Sequence, residues 1–437
     1  MAKIKKITGE ITISPAIANN IKKEIRNISD FKKKIEESLS KRVTDLITIV
    51  LAGAFYLDAS DIHIEPEEEQ VKLRLRIDGI LHNVLTFDMV TYKDILSRIK
   101  LLSKLKLNVT TRPQDGRFSI LIEEQSIEVR TSSIPAEYGE SIVLRILNTK
   151  WIKNIEKIGL RKDMLEMFKK EAKKPNGMII CTGPTGSGKT TTLYAFLQKI
   201  QKPEIKIITI EDPIEYHLKG ISQTQIDKAK GYDFANGLRS IVRQDPDTIL
   251  VGEIRDLETA QIALQAALTG HLVLSTVHTN DAAGTIARLQ ALGEKPTNIA
   301  PALNIAIGQR LVRKICKKCI ETKKILAQDL KKLKRDLKNL PKGIKIPALK
   351  PELKIAYAKG CKNCNSTGYK GRIGIFEAFL IDNEMEKFIL TSPSVNSLKD
   401  KAIKKGMVLM RQDGFIKVME GLTTIEEVER VTMEEEE

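Results

Sequence analysis

From Val71 to Ile77 the chain alternates strictly, with Val71, Leu73, Leu75 and Ile77 apolar and Lys72, Arg74 and Arg76 charged. A period of two marks a half-buried strand, and Asp78-Gly79 ends it in a turn. The segment SDIHIEP just upstream supplies a partner strand. Further back, LITIVLAGAFYL (residues 46–57) is the longest apolar run in the sequence. It is too short to span a bilayer and predicts a buried helix over residues 44–57. Residues 92–107 have the spacing of an amphipathic helix, and QDGRFSILIE, SIEVRTSSIP and ESIVLRIL give three further strands. Residues 44–147 are therefore expected to form an α/β domain with an antiparallel sheet, behind a short basic lead-in of residues 1–43.

Past NTKWIKN, a linker over residues 148–154, the pattern changes. Short continuous apolar runs (MIICTG, KIITIED, DTILVGE and HLVLSTVH) now alternate with helical stretches such as 258–268 and 282–292. That alternation predicts a parallel sheet covered by helices, over residues 155–315. Residues 316–373 read as a cysteine knuckle, a Lys-rich helix, a Pro-containing loop and a second knuckle; residues 374–437 read as helical.

Gly183-Pro184-Thr185-Gly186-Ser187-Gly188-Lys189-Thr190 matches G-x-x-x-x-G-K-[ST] at every fixed position, and Thr191 follows it. The strand MIICT enters this loop and the helix TTTLYAFLQKI leaves it, which is the context the motif requires. The glycines let consecutive backbone N–H groups curl around phosphate oxygens, aided by the positive end of the helix. Lys189 is expected on the β- and γ-phosphates of ATP and the Thr190 hydroxyl on Mg2+. Cys181, two residues before the loop, is expected to be a packing residue.

A hydrolysing P-loop protein usually ends a neighbouring strand in an Asp that helps hold Mg2+. Here Ile249-Leu250-Val251 runs into Gly252 and Glu253. A carboxylate at that position can orient an attacking water or take its proton. Gly252 offers the metal no side chain, so ITIEDPIEY is expected to help, with Glu211 as candidate for the metal–water shell ahead of Asp212 and Glu215. In GHLVLSTVHTNDA, His278 at the far end of the strand is placed to sense the γ-phosphate. His271, at the near end, fits a packing role equally well.

In order, GPTGSGKTTT, IEDPIEY, LRSIVRQDPDTILVGEIRD and TGHLVLSTVHTNDA closely resemble the Walker A, Asp-box, Walker B and His-box segments of the secretion ATPase superfamily, which serves type II secretion and type IV pilus assembly. ASDIHIEP, RIDG, RPQDGR and GESIVLRIL extend the resemblance upstream, so that it covers roughly residues 44–420. It implies a RecA-like P-loop core with a smaller amino-terminal α/β domain and a carboxy-terminal zinc-knuckle and helical region. It also implies a Mg2+-dependent ATPase assembled as a homo-oligomeric ring, usually a hexamer. In such rings the amino-terminal domain lends arginines to the neighbour's nucleotide; Arg130 in SIEVRTSS and Arg145 in IVLRIL match those positions, with Arg112 and Arg117 as further candidates. The implied partners are inner-membrane platform proteins, which would hold a cytoplasmic protein at the membrane periphery. Family members often carry an additional amino-terminal docking domain. About 42 residues precede the shared region here, so that domain is expected to be missing or reduced.

Four of the five cysteines form two C-x-x-C pairs, Cys316/Cys319 and Cys361/Cys364. No secretory leader follows the basic start MAKIKKITGE, so metal is expected before disulfides. A set of four cysteines suits a structural, tetrahedral Zn2+. Roughly 40 residues separate the pairs, about twice the spacing of a compact zinc ribbon, so the Lys-rich insert is expected to protrude. Redox or iron–sulfur use is the alternative. In the resembled family this element marks secretion and assembly members and is typically absent from retraction ATPases.

Composition changes this picture little. A chain of 437 residues has room for two or three domains, and 42% hydrophobic residues exclude wholesale disorder. The net charge of +16 can mark nucleic acid or an acidic membrane. The lysines, however, are spread along the chain, and 5% aromatic residues leave few stacking platforms for bases. The charge thus reads as solvated helix faces. The alternative it keeps open is a P-loop motor acting on DNA, in uptake or conjugation-type translocation, with strongly salt-dependent stimulation. A protein that binds ATP without cleaving it is a third reading, against which Glu253 argues.

Overall fold

The structure is a computed structural model that describes residues 9–148 and 154–432. These fall into two compact units. One comprises residues 9–148 with Cys316–Cys319 and Ala358–Lys370; the other comprises 154–315, Ile320–Tyr357 and 371–432.

The first unit opens with β1 (Glu10–Thr12), α1 (Pro15–Glu24), α2 (Ile28–Glu36) and α3 (Val43–Tyr56). It continues with β2 (Ala59–Pro66), β3 (Val71–Ile77), β4 (Ile80–Phe87), α4 (Met89–Leu102), β5 (Gln114–Ile122), β6 (Gln125–Ala136) and β7 (Gly139–Leu147). Its sheet runs β1-β5-β6-β7-β2-β3-β4. All neighbours are antiparallel except β1, which lies parallel to β5. β3 buries its four apolar residues and turns Lys72, Arg74 and Arg76 to the opposite face, as a period of two requires.

Residues 9–43, which belong to the stretch expected only as a lead-in, contribute to this unit's core. Ile11, Ile13, Ala18, Ile21, Phe31 and Ile35 are buried with α3 and the sheet. Ser14 and Asn27 cap α1 and α2 by accepting from the amides of Ile17 and Asp30. Each helix commits only two residues to the core, too few to stand out as a period. Gly53 explains how α2 seats on the apolar α3, because a Cβ there would lie 2.4 Å from the Phe31 ring. Burying that ring contributes about 2–3 kcal/mol.

The second unit contains α5 (Lys162–Glu171), β8 (Gly177–Thr182), α6 (Lys189–Ile200), β9 (Ile207–Glu211), β10 (Ser222–Gln225), α7 (Phe234–Val242) and β11 (Thr248–Val251). There follow α8 (Leu257–Leu268), β12 (Leu272–Val277), α9 (Gly284–Ala291), α10 (Pro296–Ala302) and β13 (Leu303–Ile315). The chain then passes through β14 (Ile320–Lys324), α11 (Ala327–Asp336), β15 (Lys354–Ala358) and β16 (Tyr369–Leu380). It ends in α12 (Asn383–Ile389), α13 (Val395–Lys404), α14 (Met410–Met419) and α15 (Ile425–Thr432).

The main sheet runs β10-β9-β11-β12-β8-β13-β16. The strands from β10 to β13 are mutually parallel. Every residue of β8, β9, β11 and β12 is buried, which is why these strands read as unbroken apolar runs. β13 and β16 extend the sheet beyond the strands that the pattern predicts. Gly308, Gln309 and Arg310 interrupt the apolar run of β13. The region from 374, expected as helical, begins inside β16 before the helices follow. Among the described residues no helix is long and apolar enough to cross a membrane.

Candidate nucleotide site and metal centre

The loop joining β8 to α6 is built to hold an anion. Gly186 and Gly188 adopt φ of +79° and +87°, where a side chain would be strained. At Gly183 a Cβ would lie 2.5 Å from the Gln309 carbonyl oxygen and 2.6 Å from Ser187 Oγ. No side chain caps α6, so its first amides remain directed at the loop. Ser187 Oγ is buried and, among the described residues, has no hydrogen-bond partner. An orphaned donor beside an uncapped helix start fits a phosphate oxygen, and the residues present therefore suit a nucleotide.

Lys189 is buried, and its Nζ donates to the carbonyls of Gly183 at 2.7 Å and Pro184 at 3.1 Å. Burial draws its pKa below the usual lysine value, with Arg310 adding to the effect and Glu253 opposing it. Pro184, Thr185 and Gly186 are exposed at the tip of the loop, while Thr190 and Thr191 lie half-buried on the first turn of α6. Cys181 is fully buried, and burial pushes its thiol up to about 12, so it is an inert packing group.

The ends of β11 and β12 bring two expected residues together. Thr276 Oγ1 donates to the Gly252 carbonyl at 2.8 Å, and the Ile254 amide donates to the Thr276 carbonyl at 2.9 Å. Between these ties Glu253 projects a carboxylate that is 12% exposed. Its Oε2 lies 3.5 Å from His278 Nε2 and 2.6 Å from Arg255 Nε. Burial lowers the His278 pKa, the Lys189 charge lowers it further, and Glu253 pulls the other way. A neutral imidazole results at neutral pH. Packing at Gly252 is close: a Cβ there would lie 3.3 Å from the Ile210 carbonyl oxygen and Glu211 Cα, so a side chain would have to displace its neighbours slightly. His271 sits at the opposite end of β12, its Nδ1 3.0 Å from the Ala266 carbonyl oxygen.

Glu211 is arranged differently. Its carboxylate is buried and accepts from the hydroxyl of Tyr194, from Thr209 Oγ1 at 2.6 Å and from Gln223 Nε2 at 3.2 Å. Burial raises its pKa against the pull of these donors. Sequence reading missed Gln309, which buttresses the phosphate loop from β13, and Arg310 beside it, which holds the turn after β12. Gln309 accepts from Thr192 Oγ1 at 2.7 Å and donates to the Ser187 carbonyl at 2.8 Å. Arg310 donates to the Asn280 carbonyl at 2.8 Å. No local motif marks either residue.

In the first unit, the paired strands align Arg117, Arg130, Arg145, Asp61 and Arg76 in one row across β5, β6, β7, β2 and β3. Arg145 Nε donates to Asp61 Oδ1 at 2.9 Å, and Arg130 Nε lies 3.3 Å from Glu128 Oε1. Arg112 is exposed in the loop before β5.

The two knuckles converge. The Sγ atoms of Cys316, Cys319, Cys361 and Cys364 all lie within 4.8 Å of one another. Three of the spacings are 3.7, 3.7 and 4.0 Å. A tetrahedron of sulfurs around Zn2+ at a Zn–S distance of about 2.3 Å has edges of about 3.8 Å, so the set fits that ion. No two of these cysteines form a disulfide. Amides of Cys361 and Gly368 point at Cys364 Sγ at 3.2 and 3.3 Å and orient that sulfur.

Comparison with known proteins accords with this geometry. The family of type II/IV secretion system proteins matches residues 36–430. The type II secretion system ATPase E of Vibrio cholerae is 42% identical over 393 residues, covering 90% of this chain and 76% of that protein. The type IV pilus assembly ATPase PilB of Thermus thermophilus is 39% identical over 432 residues, covering 99% of this chain but 47% of its own length. The chain thus spans about half of that relative. Among solved structures, the pilus retraction motor PilT with bound ADP aligns with a TM-score of 0.58 and 27% identity, over 88% of this chain and 96% of PilT. The Legionella pneumophila ATPase DotB shares the fold, with a TM-score of 0.64 at 21% identity over 90% of this chain and 96% of its own. The chain belongs to the type II/IV secretion system protein family, as one of its ATPases.

Proposed function

We propose that this ATPase works as a Mg2+-dependent ring motor, a homo-oligomer and most simply a hexamer, that drives type II protein secretion or type IV pilus assembly. The observation that supports this best is the convergence of Lys189, Glu253 and His278 beside a glycine loop with an orphaned Ser187 hydroxyl. In this reading the loop amides and Lys189 would hold the phosphates, the Thr190 hydroxyl would hold Mg2+, which would offset phosphate charge, and Glu253 would orient or deprotonate the attacking water. His278, neutral and 3.5 Å from Glu253, reports the γ-phosphate to that carboxylate. Glu211, with its oxygens engaged by Tyr194, Thr209 and Gln223, ties the end of β9 to α6 and β10 and supports the metal–water shell from there. Arg130 and Arg145 act on the neighbouring subunit's nucleotide, where a guanidinium offsets charge on the transferring phosphoryl group. The four cysteines would hold a structural Zn2+, which ties the two knuckles together and takes no part in the chemistry. The motor would work in the cytoplasm, held at the inner membrane by platform proteins of its machine.

The test is steady-state ATP turnover as a function of protein concentration, with and without DNA. Mg2+-dependent hydrolysis whose specific rate rises with assembly, and falls with Arg145→Ala, is the expected result. A specific rate independent of concentration would refute shared sites, and strong salt-sensitive stimulation by DNA would redirect the motor to nucleic acid.

A further inference from the structure

The turn at residues 279–282, which leads the chain away from His278, is held from four directions within the second unit. Thr182 Oγ1, at the foot of the phosphate loop, accepts from the Thr279 amide at 2.8 Å. Arg310 donates to the Asn280 carbonyl at 2.8 Å. Lys399 on α13 pairs with Asp281 Oδ2 at 3.1 Å, while Asp281 Oδ1 accepts from the Gly284 amide at 2.8 Å. Finally, Glu377 on β16 accepts from the Ala282 amide at 2.8 Å through Oε1 and from the Met410 amide at 3.0 Å through Oε2.

Glu377 is 3% exposed, and nothing in the hydrolytic scheme uses it. A buried carboxylate with each oxygen on a backbone amide of a different element acts as a bracket. Removing it strands two buried donors, so it is not an incidental contact. The fold also makes room for it. A Cβ at Gly308, on the intervening strand β13, would come within 3.0 Å of both Glu377 Cγ and the Ala282 nitrogen. Glycine at that position lets the carboxylate reach across the sheet.

We propose that Glu377 is a positioning residue for ATP hydrolysis: by fastening Ala282 to the first turn of α14, it fixes the 279–282 turn and with it the placement of His278 against Glu253. This rests on the reading of Glu253 and His278 as the pair that handles the γ-phosphate and water. Lys399 acts on the same turn from α13, so the carboxy-terminal helices and the nucleotide site share one support. Small misplacements of a catalytic pair cost one to two orders of magnitude in rate, whereas the phosphate loop that dominates binding would be untouched.

The experiment measures kcat and KM for Mg-ATP in the full chain for wild type, Glu377→Gln, Lys399→Met, His278→Ala and the two doubles with His278→Ala. Gln keeps the volume of Glu377 but turns an NH2 group toward one of the two amide donors. Glu377→Gln should lower kcat about tenfold with KM within about twofold of wild type. In the His278→Ala background the same change should lower kcat by less than about twofold, because its route to the site is already gone. Lys399→Met should behave in the same way with a smaller loss. A wild-type kcat for Glu377→Gln, or an equal fractional loss in both backgrounds, overturns the proposal. If Glu377→Gln does not fold, the Lys399→Met cycle, made at a half-exposed side chain, separates the same two outcomes. A wild-type rate for His278→Ala would instead sink the underlying reading of the site and this proposal with it. A slow His278→Ala beside an unimpaired Glu377→Gln would sink the bracket alone.

Discussion

Replacing Glu253 by Gln keeps the volume and most of the hydrogen-bonding capacity of the side chain and removes its charge. What else it disturbs is small. The ion pair with Arg255 is lost, but Arg255 is 66% exposed, and a pair of that kind contributes no more than about 1 kcal/mol. The strand end itself stays tied by Thr276 and Ile254. Lys189 loses a nearby carboxylate and keeps its charge for phosphate, so ATP should bind as well as in wild type or more tightly. The loss therefore falls on the chemical step. Removal of a positioned general base costs about 10²–10⁴ in rate, or about 3–5 kcal/mol of barrier. The assay is single-turnover hydrolysis at nucleotide occupancy matched by a direct binding measurement. Glu253→Gln should bind ATP, retain the wild-type melting temperature within a few degrees, and turn over at least about 100-fold more slowly. A rate within about threefold of wild type at equal occupancy would refute the assignment, because a neutral amide in place of the Glu253 carboxylate cannot take a proton from water.

Other outcomes follow from the rest of the fold. The double change Cys361→Ser/Cys364→Ser removes half of the sulfur set and should abolish stoichiometric metal in elemental analysis while ATP binding survives; one metal per chain in that variant would contradict the zinc assignment. Lys100 and Glu140 are 1% and 2% exposed and paired at 2.8 Å, so Lys100→Met should destabilise the first unit by about 3–5 kcal/mol in denaturant titration, and a loss under about 1 kcal/mol would show the pair to be dispensable. Glu427 is buried, which by itself would raise its pKa, but Arg430, Arg313 and the Arg313 amide hold it at about 2. Its folded pKa lies below the ordinary 4.5, so its contribution is present above pH 4.5 and fades as pH falls toward 2. At full strength it amounts to no more than about 3 kcal/mol, and less to the extent that solvent screens the partly exposed Arg430. Glu427→Gln should flatten that acid limb in pH-dependent unfolding, and an unchanged limb would refute the linkage.

Where chemistry lies in a short continuous segment, it can be read before folding. The phosphate loop is such a case: its glycines, Lys189 and the following helix are consecutive, and the backbone torsions at Gly186 and Gly188 are a local property of those residues. The Gly-Glu end of β11 and the cysteine knuckles are legible for the same reason. Residues 10–36 are harder to read, because α1 and α2 bury two side chains each and gain their stability from α3 and the sheet. β13 is hidden by the polar residues that brace the phosphate loop.

The sequence by itself determined the nucleotide loop, the buried strands that frame it and the capacity for a four-cysteine metal site, since each follows from residue type and spacing over a few positions. Only the tertiary structure decided which charged groups meet. It set His278 beside Glu253, enclosed Glu211 among Tyr194, Thr209 and Gln223, and brought Glu377 to an amide 95 positions away. The physical reason is range. Helix, strand and turn preferences act over a few residues, whereas a carboxylate's environment depends on burial and on donors that the chain supplies from distant segments only once the sheet is assembled.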